Sequence, residues 1–133
     1  MKRFPSIHSN QEFRAVYEKG SSKADRNLVI YLLKNGTDKT RLGISASKKV
    51  GNSVVRHRMA RLLREAFRLN LSETETGYDI VAVVRPAAKD AGFREIERSY
   101  LKNLSRHGIF VPAGRADKTS GISGRATEGS EES

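Results

Sequence analysis

Residues 41–69 read RLGISASKKVGNSVVRHRMARLLREAFRL. The run changes period part-way. Leu42, Ile44 and Ala46 alternate with Arg41, Gly43 and Ser45, the pattern of a strand with one face toward a core. From Ser53 to Leu69 there is neither Gly nor Pro, and Arg and Leu dominate, which predicts a helix. Lys48-Lys49-Val50-Gly51 joins the two as a basic connector, and Asn52 or Ser53 can cap the helix.

With Arg56 at the origin of a wheel of about 100° per residue, Val55, Met59, Ala60, Leu62, Leu63, Ala66 and Phe67 fall within about 160°. His57, Arg61, Arg64 and Arg68 fall between about 80° and 140°. Arg58 lies further round, beside Glu65. The helix therefore has an apolar face and a narrow cationic stripe. Surface helices usually mix signs through Glu–Lys pairs. This one uses Arg almost alone, the residue suited to bidentate phosphate contacts and to stacking on bases.

Toward the N-terminus, Asn27–Lys34 (NLVIYLLK) reads as a strand buried on both sides or nearly so. Asn35-Gly36-Thr37-Asp38 supplies turn residues, so residues 27–34 and 41–47 are expected to form an antiparallel hairpin. Ser9 and Glu12 fit a capping box. Phe13, Val16 and Tyr17 then share one face of a helix over about 10–19, with Gly20 as a left-handed stop. Toward the C-terminus, Tyr78–Val84 (YDIVAVV) is a further strand closed by Pro86. A helix over about 90–107 gathers Phe93, Ile96, Tyr100, Leu101 and Leu104. The order is helix, hairpin, helix, strand, helix, an α+β pattern around a small mixed sheet.

The 133 residues hold 25 Lys and Arg against 15 Asp and Glu, a net charge of +10. The excess sits in residues 1–111, because 112–133 carry three basic and four acidic residues. That last stretch is rich in Gly and Ser, with Ile122 its only large aliphatic residue. It is expected to be a disordered tail behind a single domain at 1–111. A basic surface this concentrated points to a polyanion partner. Without cysteine there is no disulfide, thiolate zinc site or cysteine nucleophile. No apolar run is long enough to span a bilayer, and the N-terminus has no signal-peptide stretch, so a soluble cytoplasmic protein is expected. His8, His57 and His107 lack metal-ligand spacing, and no P-loop, G-x-G-x-x-G or G-x-S-x-G motif occurs. The residues describe a binder.

The segment Ser45-Ala46-Ser47-Lys48-Lys49-Val50-Gly51-Asn52-Ser53-Val54-Val55-Arg56-His57-Arg58-Met59-Ala60-Arg61-Leu62-Leu63-Arg64-Glu65 strongly resembles the signature of the bacterial ribonuclease P protein subunit. The resemblance runs from about Arg3 to about Gly108 and includes Glu12-Phe13 and Gly77-Tyr78-Asp79. His57 stands where the family usually has Asn, and Ala60 where it usually has Lys. The resemblance implies a four-stranded, mostly antiparallel mixed sheet with three helices in the order α-β-β-β-α-β-α. That fold is ribosomal protein S5 domain 2-like, with an unusual left-handed β-α-β crossover in place of the right-handed one that general rules favour.

It also implies a function. An RNA is the catalyst, removing the 5′ leader of precursor tRNA with Mg²⁺ bound mainly by that RNA. The protein supplies no catalytic or metal-binding residue. Lys48, Lys49, Arg56, His57, Arg58, Arg61, Arg64 and Arg68 would contact the catalytic RNA. Phe13, Tyr17 and Tyr31 would line a cleft for the single-stranded leader. Taken alone, three such aromatics more often belong to a core; stacking on unpaired bases is the alternative that the resemblance favours. The expected partners are the ribonuclease P RNA and precursor tRNA, with no membrane and no obligate protein partner. A structural ribosomal-type RNA-binding protein is the competing reading. A metal-dependent nuclease acting alone would need clustered carboxylates, and none is evident.

Overall fold

The computed structural model describes residues 6, 7 and 9–111; His8 and the expected tail at 112–133 lie outside the described residues. The elements are α1 (Asn10–Lys19), β1 (Ser21–Ala24), β2 (Leu28–Lys34), β3 (Arg41–Ser45), α2 (Ser53–Asn70), β4 (Tyr78–Val84) and α3 (Phe93–His107), with single 3-10 turns at Leu71–Glu73 and Pro86–Ala88. Ser9 caps α1 by accepting a bond from the Glu12 amide at 3.1 Å, and Asn52 caps α2 through the Val55 amide at 3.0 Å.

The four strands lie in the order β1-β2-β4-β3. β2 pairs antiparallel with both β1 and β4, and β3 pairs parallel with β4. The expected hairpin between 27–34 and 41–47 is therefore wrong. β4 lies between the two strands, and β3 runs parallel to it, connected through α2. The reason is burial. Asp79, Ile80, Val81 and Ala82 are all buried, so β4 takes a central place that the half-exposed β3 does not need. The six residues 35–40 are long enough to step over one strand, about 10 Å at the usual interstrand spacing. Turn residues between two runs do not require that the runs pair. β1 is the strand that residue patterning missed. Its sequence, SSKA, has no apolar alternation and lies at the sheet edge, largely exposed.

Helices cover both faces. Leu28, Ile30, Leu32, Ile80, Ala82 and Val84 point to one side, where α2 and α3 bring Met59, Leu63, Phe67, Ile96, Tyr100 and Leu104. Val55, Leu62, Phe93 and Leu101 pack against them partly buried, so the expected core positions of both helices are met except Ala60, which is half-buried and outside the cluster. On the other side Val81 packs with Ile7 and with Val16 of α1, and Phe13, Tyr31, Leu33 and Val83 are half-buried around them. The chain before α1 shields the outer side of β3, where the Ile7 amide bonds the Leu42 carbonyl at 2.9 Å.

Gly20 ends α1, but not as a left-handed stop. Its φ is −83° and ψ 169°, an ordinary extended conformation. Space requires the glycine instead. A Cβ there would sit 2.6 Å from the carbonyl oxygens of both Val16 and Leu32, and neither backbone can move freely. Gly20→Ala is expected to cost about 1–3 kcal/mol as a small-to-large change in a tight site. Chemical denaturation measures it; an unchanged midpoint would mean that the α1–β1 junction gives way at no cost.

Candidate nucleic-acid interface

Two surfaces are built on opposite faces of the sheet. The first is aromatic. Phe13 and Tyr17 are one helical turn apart on α1, with ring centroids separated by 6.3 Å. Tyr31, in the middle of β2, meets Tyr17 edge-on at 4.9 Å and 77°. The structure thus brings all three expected residues together. Phe13 and Tyr31 are half-buried and Tyr17 is 38% exposed, so the group is neither closed core nor free surface.

Gly43 lets Phe13 down onto the sheet. A Cβ on Gly43 would come within 2.8 Å of the Phe13 ring and 3.1 Å of the Ile7 Cβ. Beyond α1 the same sheet face continues through Val29 and Val83, half-buried, and Ser45.

A polar bridge sets the position of α1. The Arg41 guanidinium donates to both carboxylate oxygens of Asp79, at 2.9 and 2.7 Å, and to Glu12 of α1 at 2.9 Å. Asn35 adds a bond to Asp79 at 2.8 Å. The two carboxylates push the Arg41 pKa above its ordinary value, because the hydrogen bonds it donates to Asp79 and then Glu12 outweigh desolvation. No sequence pattern brings these four residues together. The available signal was Asp79, a buried acid in a strand that otherwise reads apolar.

The second surface is cationic. Along α2, Met59, Leu63, Ala66 and Phe67 are buried, whereas His57, Arg61, Arg64 and Arg68 are exposed, as the wheel predicts. Lys48 and Lys49 are exposed in the turn that leads into the helix. The stripe is not uniform. Arg68 is held by Glu65 at 2.5 Å. Arg58, further round the helix, reaches across to the lead-in of α3, donating to the carbonyls of Ala91 at 3.1 Å and Lys89 at 2.7 Å. Arg56 turns back to the Gly51 carbonyl at 3.3 Å. Among the described residues no carboxylate lies within ion-pair distance of Arg61, Arg64, Lys48 or Lys49. Nor does any group of three or more His, Asp or Glu among them stand ready to hold a metal ion.

The ribonuclease P family model matches residues 1–108. The chain belongs to the ribonuclease P protein family. It is 48% identical over 103 residues to the ribonuclease P protein component of Clostridioides difficile (strain 630), an alignment covering 77% of this chain and 90% of that one. With the ribonuclease P protein component of Clostridium novyi (strain NT) it shares 47% identity over 112 residues, 83% of this chain and 99% of the relative. The solved Staphylococcus aureus RNase P protein superposes with a TM-score of 0.75 at 36% identity, covering 82% of this chain and 100% of that structure. The Thermotoga maritima RNase P protein gives 0.71 at 28%, covering 76% and 96%.

Membership of the ribonuclease P family makes the chain the protein subunit of an endoribonuclease of tRNA 5′-end processing, with an RNA as partner. The three-helix, four-stranded α+β fold is that of the solved ribonuclease P proteins. No helix among the described residues is long and apolar enough to cross a membrane.

Proposed function

We propose that the subunit divides its two surfaces between two RNAs. The α2 stripe, with Lys48, Lys49, Arg61 and Arg64 as its open cations and His57 beside them, docks on the catalytic RNA. The Phe13–Tyr17–Tyr31 group holds the extended 5′ leader of precursor tRNA. The observation that carries this reading is the segregation of the two chemistries: cations of α2 and its lead-in with no carboxylate in ion-pair distance among the described residues on one side of the sheet, half-exposed rings on the other. Cations without acidic neighbours suit phosphate, which supplies affinity without sequence information. Rings suit unpaired bases of any sequence. Arg58 and Arg68 serve the stripe differently, the first by joining α2 to the α3 lead-in and the second through its Glu65 pair.

Mg²⁺ is proposed to be held mainly by the RNA, since this chain's own contribution is position and charge. The working domain is proposed to be residues 1–111, with 112–133 dispensable; the family match ends at residue 108. Its place of action is the cytoplasm.

The test is reconstitution. Pure protein is added to a bacterial ribonuclease P RNA at low Mg²⁺, and precursor-tRNA cleavage is followed. Stimulated cleavage is expected. No gain would favour a purely structural RNA-binding role, and cleavage without the RNA would indicate a nuclease in the protein. In the same system Arg61→Ala and Arg64→Ala are expected to weaken assembly at low salt, with the deficit shrinking as salt rises through reduced counterion release. Unchanged affinity for both variants would reject the stripe as the docking face.

A further inference from the structure

A second concentration of positive charge lies away from α2, where the β1–β2 turn meets the outer side of α3. Four exposed cations from three parts of the chain meet here: Arg26 in the turn, Arg85 after β4, and Lys102 and Arg106 on α3. Arg85 Nη1 donates to the Asp25 carbonyl at 3.0 Å. Arg106 Nη1 donates to the Ala24 carbonyl at 2.9 Å and to Asn103 Oδ1 at 3.1 Å. Neutral oxygens therefore orient both guanidinium groups without neutralising them, and each keeps further N–H donors on an exposed side chain. Such pre-orientation lowers the entropy lost when an anion is gripped.

Two carboxylates stand nearby, and both have other work. Asp25 accepts from the Ser99 hydroxyl at 2.5 and 2.6 Å and from the amides of Asn27 and Leu28 at 3.0 Å. Burial opposes its charge, but these bonds and Lys102, 3.6 Å away, hold its pKa below the ordinary value. Glu95 accepts from the Asn27 amide group at 3.2 Å. Further along α3, Glu97 accepts from Asn70 of α2 at 2.9 Å. The acids of α3 therefore tie the helix to the rest of the fold, where a merely solvated helix face would pair them with its own cations. His107 lies beside Arg106 at the edge of this corner. Burial lowers its pKa first, the Ile30 carbonyl opposes that, and Lys23 and Arg106 lower it further by repelling the proton.

We infer that this corner is a second contact for the sugar-phosphate backbone of the catalytic RNA, distinct from the α2 stripe. The inference rests on the reading that a catalytic RNA docks on that stripe. It follows from placement: α2 and α3 pack side by side on one face of the sheet, so an RNA seated on α2 runs along the same helical layer. The leader-binding rings lie on the opposite face.

The experiment titrates the intact protein against a bacterial ribonuclease P RNA over a range of salt concentrations. Arg85→Gln combined with Arg106→Gln is expected to weaken assembly about ten-fold at low salt and to flatten the salt dependence by roughly 0.7–0.9 for each phosphate no longer bound. Arg26→Gln combined with Lys102→Gln removes two charges without touching a backbone carbonyl, losing only the 3.6 Å Lys102–Asp25 pair. It is expected to weaken assembly in the same sense with an unchanged melting temperature, which separates binding from any loss of folding. Unchanged affinity and slope in this second variant would overturn the inference. So would normal assembly with equally weakened binding of precursor and mature tRNA to the holoenzyme, since the corner would then face the tRNA body. Arg61→Ala is the control: a loss there with none at the corner defeats only the second contact, and no loss at either defeats the docking reading itself.

Discussion

Asp79→Ala is expected to lower stability by about 2–4 kcal/mol. Removing one partner of a buried ion pair typically costs about 3–5 kcal/mol. The figure is reduced here because the Arg41 side chain keeps 31% of its surface exposed and water can replace part of the lost pairing. Three hydrogen bonds to the Asp79 carboxylate disappear together, two from Arg41 and one from Asn35. For a domain of this size the change corresponds to a fall in Tm of roughly 10–20 °C. Glu12→Gln, at the exposed end of the same bridge, is expected to cost under about 1 kcal/mol, as solvent-exposed pairs do. Thermal denaturation of the two variants decides the matter. Equal small losses would mean that Asp79 contributes no more than a surface charge. The bridge also joins α1 to the sheet, so a folded Asp79 variant at low temperature should bind leadered tRNA less well.

The second large effect concerns the rings. Tyr17→Ala and Tyr31→Ala are each expected to weaken binding of precursor tRNA to the holoenzyme by about ten-fold or more, because one stacked base is worth roughly 1–3 kcal/mol and about 1.4 kcal/mol is a factor of ten. Binding of mature tRNA and assembly with the catalytic RNA should hardly change. Tyr17 is the cleaner probe, since at 38% exposure it contributes little to the core. Tyr31 is half-buried against Tyr17, so its replacement loses some packing as well. A stably folded Tyr17 variant that loses affinity equally for leadered and leaderless tRNA would sink the leader assignment. So would collapse of folding and all RNA binding together in both variants, which would make the rings core residues.

Periodicity alone described most of α2: a cap at Asn52 or Ser53, which the structure resolves to Asn52, the buried Met59, Leu63, Ala66 and Phe67, and the exposed His57, Arg61 and Arg64. These properties follow from residues three and four apart on one helix, and nothing distant alters them. The same holds for the Ser9 cap of α1 and for the apolar face of α3. The aromatic group was legible only in part. Phe13 and Tyr17 share a helix face by spacing, but Tyr31 joins them because β2 lies beneath α1, a contact between distant parts of the chain.

What the sequence by itself determined about this protein was therefore local: which segments are helices or strands, which face of each is apolar, and where the open charge of α2 lies. Tertiary structure alone decided the strand order, because pairing depends on which strand is most buried, and β4 outcompetes β2 as neighbour of β3. It decided that Gly20 answers to two carbonyl oxygens and Gly43 to the Phe13 ring, since only approach between separate elements defines those spaces. It also decided which charges are free. Arg41, Arg58, Arg85 and Arg106 look alike in the sequence, yet Arg41 is neutralised by carboxylates while the other three are oriented by carbonyls. A side chain's partner is a matter of distance in the folded chain, and spacing along the sequence carries that distance only within one helix or strand.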